Sequence, residues 1–316
     1  VATAGATATA GLLGVQGFVD DLKAGGTIRG VDGVLSRADV GGARTLLLIG
    51  SDHRFGAARD DARSDTMMLV RIDPDAPATT VLSIPRDLRV RFRDQRGRLH
   101  APARVNETYA VGGEALTARV VKDLLDVEIH HVVNVSFRGF REAIDAIGCV
   151  YVDVDQRYYH SNAGLPPSEH YAEIDIKPGY RRLCGAQALD YVRYRHGDND
   201  LVRAARQQEF LRQVRSQYDA SAFIDDPHRL TRVIGRRMQT DAGLQSVDAL
   251  IELAKLLAFA AEKPIVQVSF PARFTVGADG AAYVEAAPRA LAHDREQLLQ
   301  LPAAPRGRLP GASQRR

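Results

Sequence analysis

The residues of this chain that could do chemistry are arginines and aspartates, gathered where apolar runs begin or end. In Arg63–Asp87, RSDTMMLVRIDPDAPATTVLSIPRD, an Arg and an Asp front one apolar run and an Arg-Asp pair follows the next. Asp52 follows an earlier run, TLLLIG. Further on, ALDYVRYRHGDNDLVRAARQQEF carries Arg193 and Arg195, then Asp200, then Arg203, Arg206, Gln207 and Phe210. The three- and four-residue steps of the last four place them on one helical face. Arginine contacts phosphate oxygens bidentately. Asp52 and Asp65 offer the hard oxygen ligands that Mg²⁺ prefers, usually one or two carboxylates with water and phosphate completing the shell. Together these groups suit a multiply charged phosphate ester with a divalent cation. Phosphoryl transfer needs little else: positioning, charge neutralisation and a carboxylate to orient the incoming hydroxyl. Taken alone, the second stretch also fits a solvated basic helix with internal pairs such as Asp200 with Arg203. Arg193 and Arg195, next to the helix but outside it, weaken that reading.

Other chemistries lack their signatures. No GxxxxGK[ST], GxSxG, HExxH or GxGxxG occurs, so the common phosphate-cradling, nucleophile-elbow and zinc-helix arrangements are absent. His130 and His131 are adjacent on an expected strand and point to opposite faces. His53 and His196 sit in polar loop sequence.

The elements that must position the charged residues follow from the apolar pattern. Thr45–Gly50, Thr66–Ile72 and Thr79–Ile84 are β-type runs, the last two joined as a hairpin by DPDAP. Pairing them brings the start of one beside the end of the other, so Asp65 and Arg86 become neighbours at one sheet edge, beside Asp52. Leu88–Phe92, LRVRF, alternates with arginines on one side. A polar irregular stretch spans 93–112, and Gly113–Leu125 is expected to be helical. His130–Val135 is a strand. Ser136 caps a helix that Gly148 closes, and Val150–Val154 is another strand. Residues 156–182 form a long polar excursion. Helices follow at Gly185–Arg193, Leu201–Tyr218, about Asp226–Met238 and Ser246–Ala260, before a closing strand at Ile265–Phe270. Helices and strands alternate without internal repeat, which predicts an α/β or α+β sandwich with helices on a central sheet.

The 316 residues, 45% apolar and 26% charged, can bury a full core. A net charge of +3 from 42 basic and 39 acidic residues gives no reason to infer nucleic-acid binding. The basic residues are nearly all Arg, the lysines being Lys23, Lys122, Lys177, Lys255 and Lys263. Residues 1–19 carry no charge and read either as the outer end of a signal-anchor helix or as an amphipathic lead-in. This gives an expected organisation of anchor end and linker over 1–40, a catalytic domain over 41–300 and a disordered basic tail over 301–316. Cys149 and Cys184 are spaced too far apart for a zinc half-site. They are either two unrelated buried residues or one disulfide, and a disulfide would imply an oxidising compartment.

LLLIGSDHR, RSDTMMLVRID, VLSIPRD, ARVNETYAVGG and ALDYVRYRHGDNDLVRAARQQEFL, over roughly Leu46–Leu211, resemble the LytR-CpsA-Psr family of bacterial cell-wall glycopolymer transferases. The resemblance implies an extracytoplasmic, membrane-anchored α-β-α sandwich with a central mixed β-sheet. It implies a phosphotransferase that moves a glycan from a polyprenyl-pyrophosphate carrier onto a peptidoglycan hydroxyl with Mg²⁺. By motif position Asp52 and Asp65 would hold the metal. Arg63, Arg86, Arg193, Arg195 and Arg203 would grip the pyrophosphate, with Gln207 assisting and Arg104 joining. Asp200 would orient or deprotonate the acceptor hydroxyl; Asp87, beside the catalytic Arg86, competes for that role or braces Arg86. The family's apolar lipid tunnel between sheet and helices would take Phe137, Phe140, Ile144, Phe210 and Phe259, which serve equally well as core residues. Gly148-Cys149 stands where the family often has two glycines, and Cys184 at a variable position; both changes together favour the disulfide. Teichoic acid, capsule and arabinogalactan all remain open as the glycan.

Three other readings compete. Water in place of the sugar hydroxyl would make the same site a polyprenyl-pyrophosphate pyrophosphatase. A nucleic-acid-binding transcriptional regulator would need a recognition motif, and none is found; carboxylates interleaved with the arginines would also repel a phosphate backbone. A passive lipid carrier would work without Mg²⁺.

Overall fold

The computed structural model describes residues 15–52, 64–166, 170, 172–194, 200–218, 235–260, 263–268, 270, 272–278 and 280–299, with the side chains of 200, 201, 204 and 294 excepted. Its centre is a six-stranded mixed sheet. Three strands carry the apolar runs around the charged residues: β1 (Arg44–Ser51), β2 (Ser64–Ile72) and β3 (Thr79–Ser83). They pair antiparallel in succession. A hairpin, β4 (Arg89–Arg93) with β5 (Leu99–Arg104), leads into helix α1 (Glu107–Leu125). Strand β6 (His131–Ser136) then pairs parallel with β1. Helix α2 (Phe137–Ile147) follows at once, its first turn capped by the Ser136 hydroxyl accepting from the Gly139 N–H. Gly148 ends it in the left-handed region, where a side chain would be strained.

A smaller layer comes next. Strand β7 (Val150–Val154) pairs with β10 (Gly179–Leu183), and β8 (Tyr158–His160) pairs with β9 (Ile174–Ile176). The polar excursion expected over 156–182 therefore holds strands; they are three to five residues long and half-exposed, so the apolar pattern there is faint. Helices α3 (Gly185–Arg193) and α4 (Asp200–Gln217) return the chain to the main sheet. Strand β11 (Met238–Thr240) joins the edge at β6, where a helix was expected to end. A single turn (Ala242–Gln245) leads into α5 (Val247–Ala260), and β12 (Ile265–Val268) lies parallel to β3 on the far edge. A last hairpin, β13 (Arg273–Val276) with β14 (Ala282–Glu285), and α6 (Pro288–Leu299) complete the fold.

Strand alternation divides the burial. Leu47, Ile49, Met67 and Leu69 face a large core shared with Tyr109, Leu116 and Val121 of α1 and Leu298 of α6. On the other face Leu46 and Ile72 meet Leu256 and Ala260 of α5, while α2, α3 and α4 close over the strand ends. The smaller layer has its own core around Val152, Tyr158, Tyr191 and Phe210. Residues within the expected anchor-and-linker stretch 1–40 take part: Val19, Leu22, Ile28 and Val31 are all buried. Residues 1–14 and 301–316 lie outside the described set. Among the described residues, no helix is long and apolar enough to cross a membrane.

Candidate functional site

The site grows from the β2–β3 register. Met68 stands opposite Ser83, and three more steps along each strand set Asp65 across from Arg86. Arg86 Nη1 donates to Asp65 Oδ1 at 2.5 Å. The second contribution comes from a distant stretch. The C-terminal residue of α3, Arg193, donates from Nε and Nη2 to Asp65 Oδ2 at 3.3 and 3.0 Å. Its guanidinium lies 3.9 Å from the centre of the Phe137 ring, a cation–π contact that fixes its plane. Arg203, on the first turn of α4 and 4% exposed, adds a third positive field at Asp65. Burial alone would raise the Asp65 carboxyl, but Arg193, Arg86 and Arg203 outweigh it and hold it below its ordinary value. Asp65 is therefore a carboxylate at neutral pH, ringed by guanidiniums.

The helices that deliver these arginines are tied down. Cys149, just past the end of α2, is disulfide-bonded to Cys184, the residue before α3. The Gly185 N–H donates to Asp145 Oδ1 at 2.7 Å, and a Cβ at Gly185 would meet the Arg141 carbonyl oxygen at 2.4 Å; α2 and α3 touch backbone to side chain there. From α4, Gln208 donates to the Ser83 hydroxyl at 2.5 Å. Arg206 donates to the Tyr191 and Tyr194 carbonyls and stacks on the Tyr158 ring, 4.4 Å away. This arginine shares the helical face with Gln207 in sequence yet serves the smaller layer's packing.

An apolar cavity of about 180 Å³ opens beside the cluster, between the sheet and α2, α3 and α4. Leu48 and Met68 form its floor, Phe137, Phe140 and Phe210 its walls, and Arg193 its charged rim. Two expected lining residues are elsewhere. Ile144 is buried in the smaller layer's core. Phe259 is 60% exposed on α5, against Lys263, because its neighbours Leu256 and Ala260 take the inward positions of that helix.

The remaining expected residues separate as follows. Asp87 lies 3.8 Å from Arg86 Nε and 3.7 Å from Arg104 Nε, so it braces both. Arg104 also donates to the Ala282 carbonyl and lies over the Tyr283 ring; among the described residues it is linked to the Asp65 cluster through Asp87. Gln207 does not extend toward an anion: its amide nitrogen donates to the Thr66 hydroxyl at 2.9 Å and the Val192 carbonyl at 3.1 Å, which pins α4 to β2 and α3. Asp52 is exposed, one residue beyond the Ser51–Ser64 pair. Asp200 opens α4, while its side chain, Arg63 and Arg195 lie outside the described set. Mg²⁺ needs few protein ligands; ionised Asp65, whose two oxygens also accept from Arg86 and Arg193, and exposed Asp52, one residue past β1, are oxygen donors of that type. Among the described residues, the one group of three possible ligands is Asp145 with Cys149 and Cys184, whose sulfurs are bonded to each other.

Sequence reasoning missed the buried support under β1. The Ser51 hydroxyl donates to Asn134 Oδ1 at 2.9 Å, and Asn134 Nδ2 donates to Glu114 and to the Tyr109 hydroxyl at 2.7 and 2.8 Å. The quoted block ARVNETYAVGG contains Tyr109, and Gly113, with φ of 64°, breaks α1 so that Glu114 turns inward. With 93–112 read as irregular and a helix expected only from Gly113, both the helical start at Glu107 and that turn stay hidden.

Comparison with known proteins finds the LytR_cpsA_psr family over residues 23–299. The chain is 30% identical over 217 residues to the polyisoprenyl-teichoic acid–peptidoglycan teichoic acid transferase TagU of Oceanobacillus iheyensis, covering 66% of this chain and 62% of that protein. It is 29% identical over 213 residues to biofilm regulatory protein A of Streptococcus mutans, covering 64% and 50%. The chain thus spans half to three-fifths of the curated relatives' length. Among solved structures, protein gbs0355 of Streptococcus agalactiae superimposes with a TM-score of 0.69 at 24% identity, covering 81% of this chain and 86% of that one, which establishes the shared fold.

Proposed function

The chain belongs to the LytR_cpsA_psr family, and from that premise we propose that it transfers a glycopolymer from a polyprenyl-pyrophosphate carrier to peptidoglycan. One observation carries this reading: arginines 107 positions apart, Arg86 and Arg193, converge on a single carboxylate at the rim of an apolar cavity. A charged rim on an apolar cavity suits an amphiphile with an anionic head, and a prenyl diphosphate is such a molecule.

In the proposed reaction Arg86, Arg193 and Arg203 hold the diphosphate and Asp65 keeps the guanidiniums in plane. An acceptor hydroxyl oxygen attacks the glycan-bearing phosphorus, the bond from that phosphorus to the prenyl-phosphate oxygen breaks, and prenyl phosphate leaves. Asp200 takes the hydroxyl proton. Asp87, engaged by two arginines, serves as a brace. Mg²⁺, held by Asp65 and Asp52, would supply further charge neutralisation on the phosphate oxygens. The cavity is smaller than the 300–1,000 Å³ or so of typical ligand pockets, so it takes the head-proximal part of a prenyl tail. The disulfide supports an extracytoplasmic site of action, with membrane anchoring through the N-terminal side of the chain.

The test uses a prenyl-diphosphate-linked glycan with and without peptidoglycan fragments, and with Mg²⁺ or chelator. Prenyl phosphate released only when acceptor is present supports transfer. Equal release without acceptor makes the protein a pyrophosphatase, and Mg²⁺-independent lipid binding without turnover makes it a carrier.

A further inference from the structure

The β4–β5 hairpin carries charge that the Asp65 cluster does not use. Between Arg86 and Arg104 the sequence holds Arg89, Arg91, Arg93, Arg96 and Arg98 as well. Strand alternation buries Val90 and Phe92 and exposes Arg89, Arg91 and Arg93, a row of cations at about 6.8 Å steps. The row lines a cleft of about 1170 Å³ whose opposite side is α1, where Arg119 is exposed. Among the described residues, Arg93 and Arg119 are held in place by carbonyls: Arg93 Nη1 donates to Gly97 and Arg119 Nη2 to Arg93. Three carboxylates share the cleft. Glu285 pairs with Arg89, Asp94 accepts from the backbone of Arg96 and Arg98 and lies against His100, and Asp123 is exposed. Among the described residues, none of them lies within ion-pairing distance of Arg91, Arg93 or Arg119.

The position of this row relative to the Asp65 cluster gives it a direction. The apolar cavity is on the α2–α4 face of the sheet. The hairpin packs through Val90, Phe92 and Ala103 into the core of the opposite, α1 face. Arg86 stands at the strand ends between the two. Seven residues on, Arg93 is at most about 24 Å from it. A donor with its lipid on one face and its diphosphate at Arg86 therefore sends its glycan toward the other face.

We propose that the cleft between β4 and α1 is a second anion-binding site, in which Arg91, Arg93 and Arg119 grip phosphate diesters or carboxylates repeated along the glycan chain of the donor. The proposal rests on the transferase reading and deepens it: the cleft selects a polyanionic glycan over a neutral one, beyond the reacting diphosphate. Its contacts are charge-assisted, exposed and additive along a repeat, so affinity falls with salt through counterion release.

The experiment titrates the whole chain with a fluorescent poly(glycerol phosphate) oligomer, a neutral dextran oligomer of similar length, a single-stranded oligonucleotide, and farnesyl diphosphate, at two salt concentrations. The variants are Arg91→Ala/Arg93→Ala and Arg91→Glu, with circular dichroism confirming the fold. Expected are loss of about tenfold or more in affinity for the anionic oligomer, a shallower salt dependence, no dextran binding, and farnesyl diphosphate affinity within twofold of wild type. Unchanged oligomer binding in both variants overturns the proposal. Oligonucleotide binding as tight and as sensitive to the variants also overturns it, because the cleft is then a general polyanion surface. Failure of wild type to bind farnesyl diphosphate strikes the transferase reading instead, and the oligomer titration still reports on the cleft.

Discussion

Replacing Asp65 with asparagine keeps the shape of the side chain and removes the charge on which two arginines converge. The cost follows from the contacts. Deleting one partner of a buried ion pair costs about 3–5 kcal/mol, whereas exposed pairs are worth about 0–1 kcal/mol. The side chains here are 11% exposed for Asp65, 22% for Arg86 and 25% for Arg193, nearer the buried end. A loss of about 2–3 kcal/mol is expected, which lowers the melting temperature of a chain this long by about 3–5 °C. The pH dependence fixes the cause. Arginine fields depress the folded-state pKa of Asp65 despite its burial. Its stabilisation is therefore complete above the unfolded value of about 4 and is lost as pH falls through the lower folded value. Urea unfolding of wild type and Asp65→Asn at pH 7, 5 and 3 should show a constant gap at the two higher values and a narrower one at pH 3. Identical midpoints at pH 7, or a gap that persists undiminished in acid as the protein begins to unfold, would refute the claim that this carboxylate organises the guanidiniums.

Further outcomes separate binding from scaffolding. Arg193→Leu should weaken diphosphate binding by more than tenfold in calorimetry and cost about 1–2 kcal/mol of stability, since Asp65 loses one of its two guanidiniums but keeps Arg86. Arg206→Leu should act chiefly on stability, destabilising by about 2–4 kcal/mol because two buried carbonyls lose their donor, while diphosphate affinity of the folded protein stays within threefold. Leu48→Trp fills the cavity floor; the affinity ratio of farnesyl diphosphate to inorganic diphosphate should then fall at least tenfold. Reduction of Cys149–Cys184, which spans a sequence separation of 35, removes about 4 kcal/mol of loop constraint and should lower the melting temperature by about 6 °C in scanning calorimetry.

The parts of the fold that could be read in advance are those where one periodicity dominates. The β1, β2 and β3 runs are continuous and apolar, and the turn cluster DPDAP fixes the hairpin, so Asp65 beside Arg86 follows from counting. Arg193 at the same carboxylate does not: it depends on where α3 docks, which the Asp145 contact, the disulfide and the Arg141–Gly185 approach determine over a distance no local pattern encodes. Exposure within a helix was equally hidden, since Phe259 looks as apolar as Phe210 and only the neighbour set, Leu256 and Ala260, decides which side faces in. The roles of Gln207 and Arg206 were obscured for another reason. A polar residue on the correct helical face can serve a ligand or a backbone carbonyl, and type and spacing do not distinguish the two. Strands β8, β9 and β13, at three or four residues each, are too short for alternation to register.

The two faces of the sheet explain why the charged residues lie at strand ends rather than on a face. The proposed donor carries a long apolar tail on one side of its diphosphate and a polar chain on the other, and no single surface suits both. Setting the arginines where β2 begins beside the end of β3 would, on the proposed reading, let the tail lie against Leu48 and Met68 under α2–α4 while the polar chain passes to the β4–α1 side. The same placement makes Arg86 the hinge of the arrangement: it touches Asp65 toward the cavity and Asp87 toward the hairpin, and Asp87 in turn reaches Arg104. With the lipid head and the glycan chain offered as separate probes, substitutions at Arg193 and Arg91 should each disturb one. A donor carrying both head and chain should lose affinity in either variant, which is the behaviour expected of one ligand held across a sheet edge.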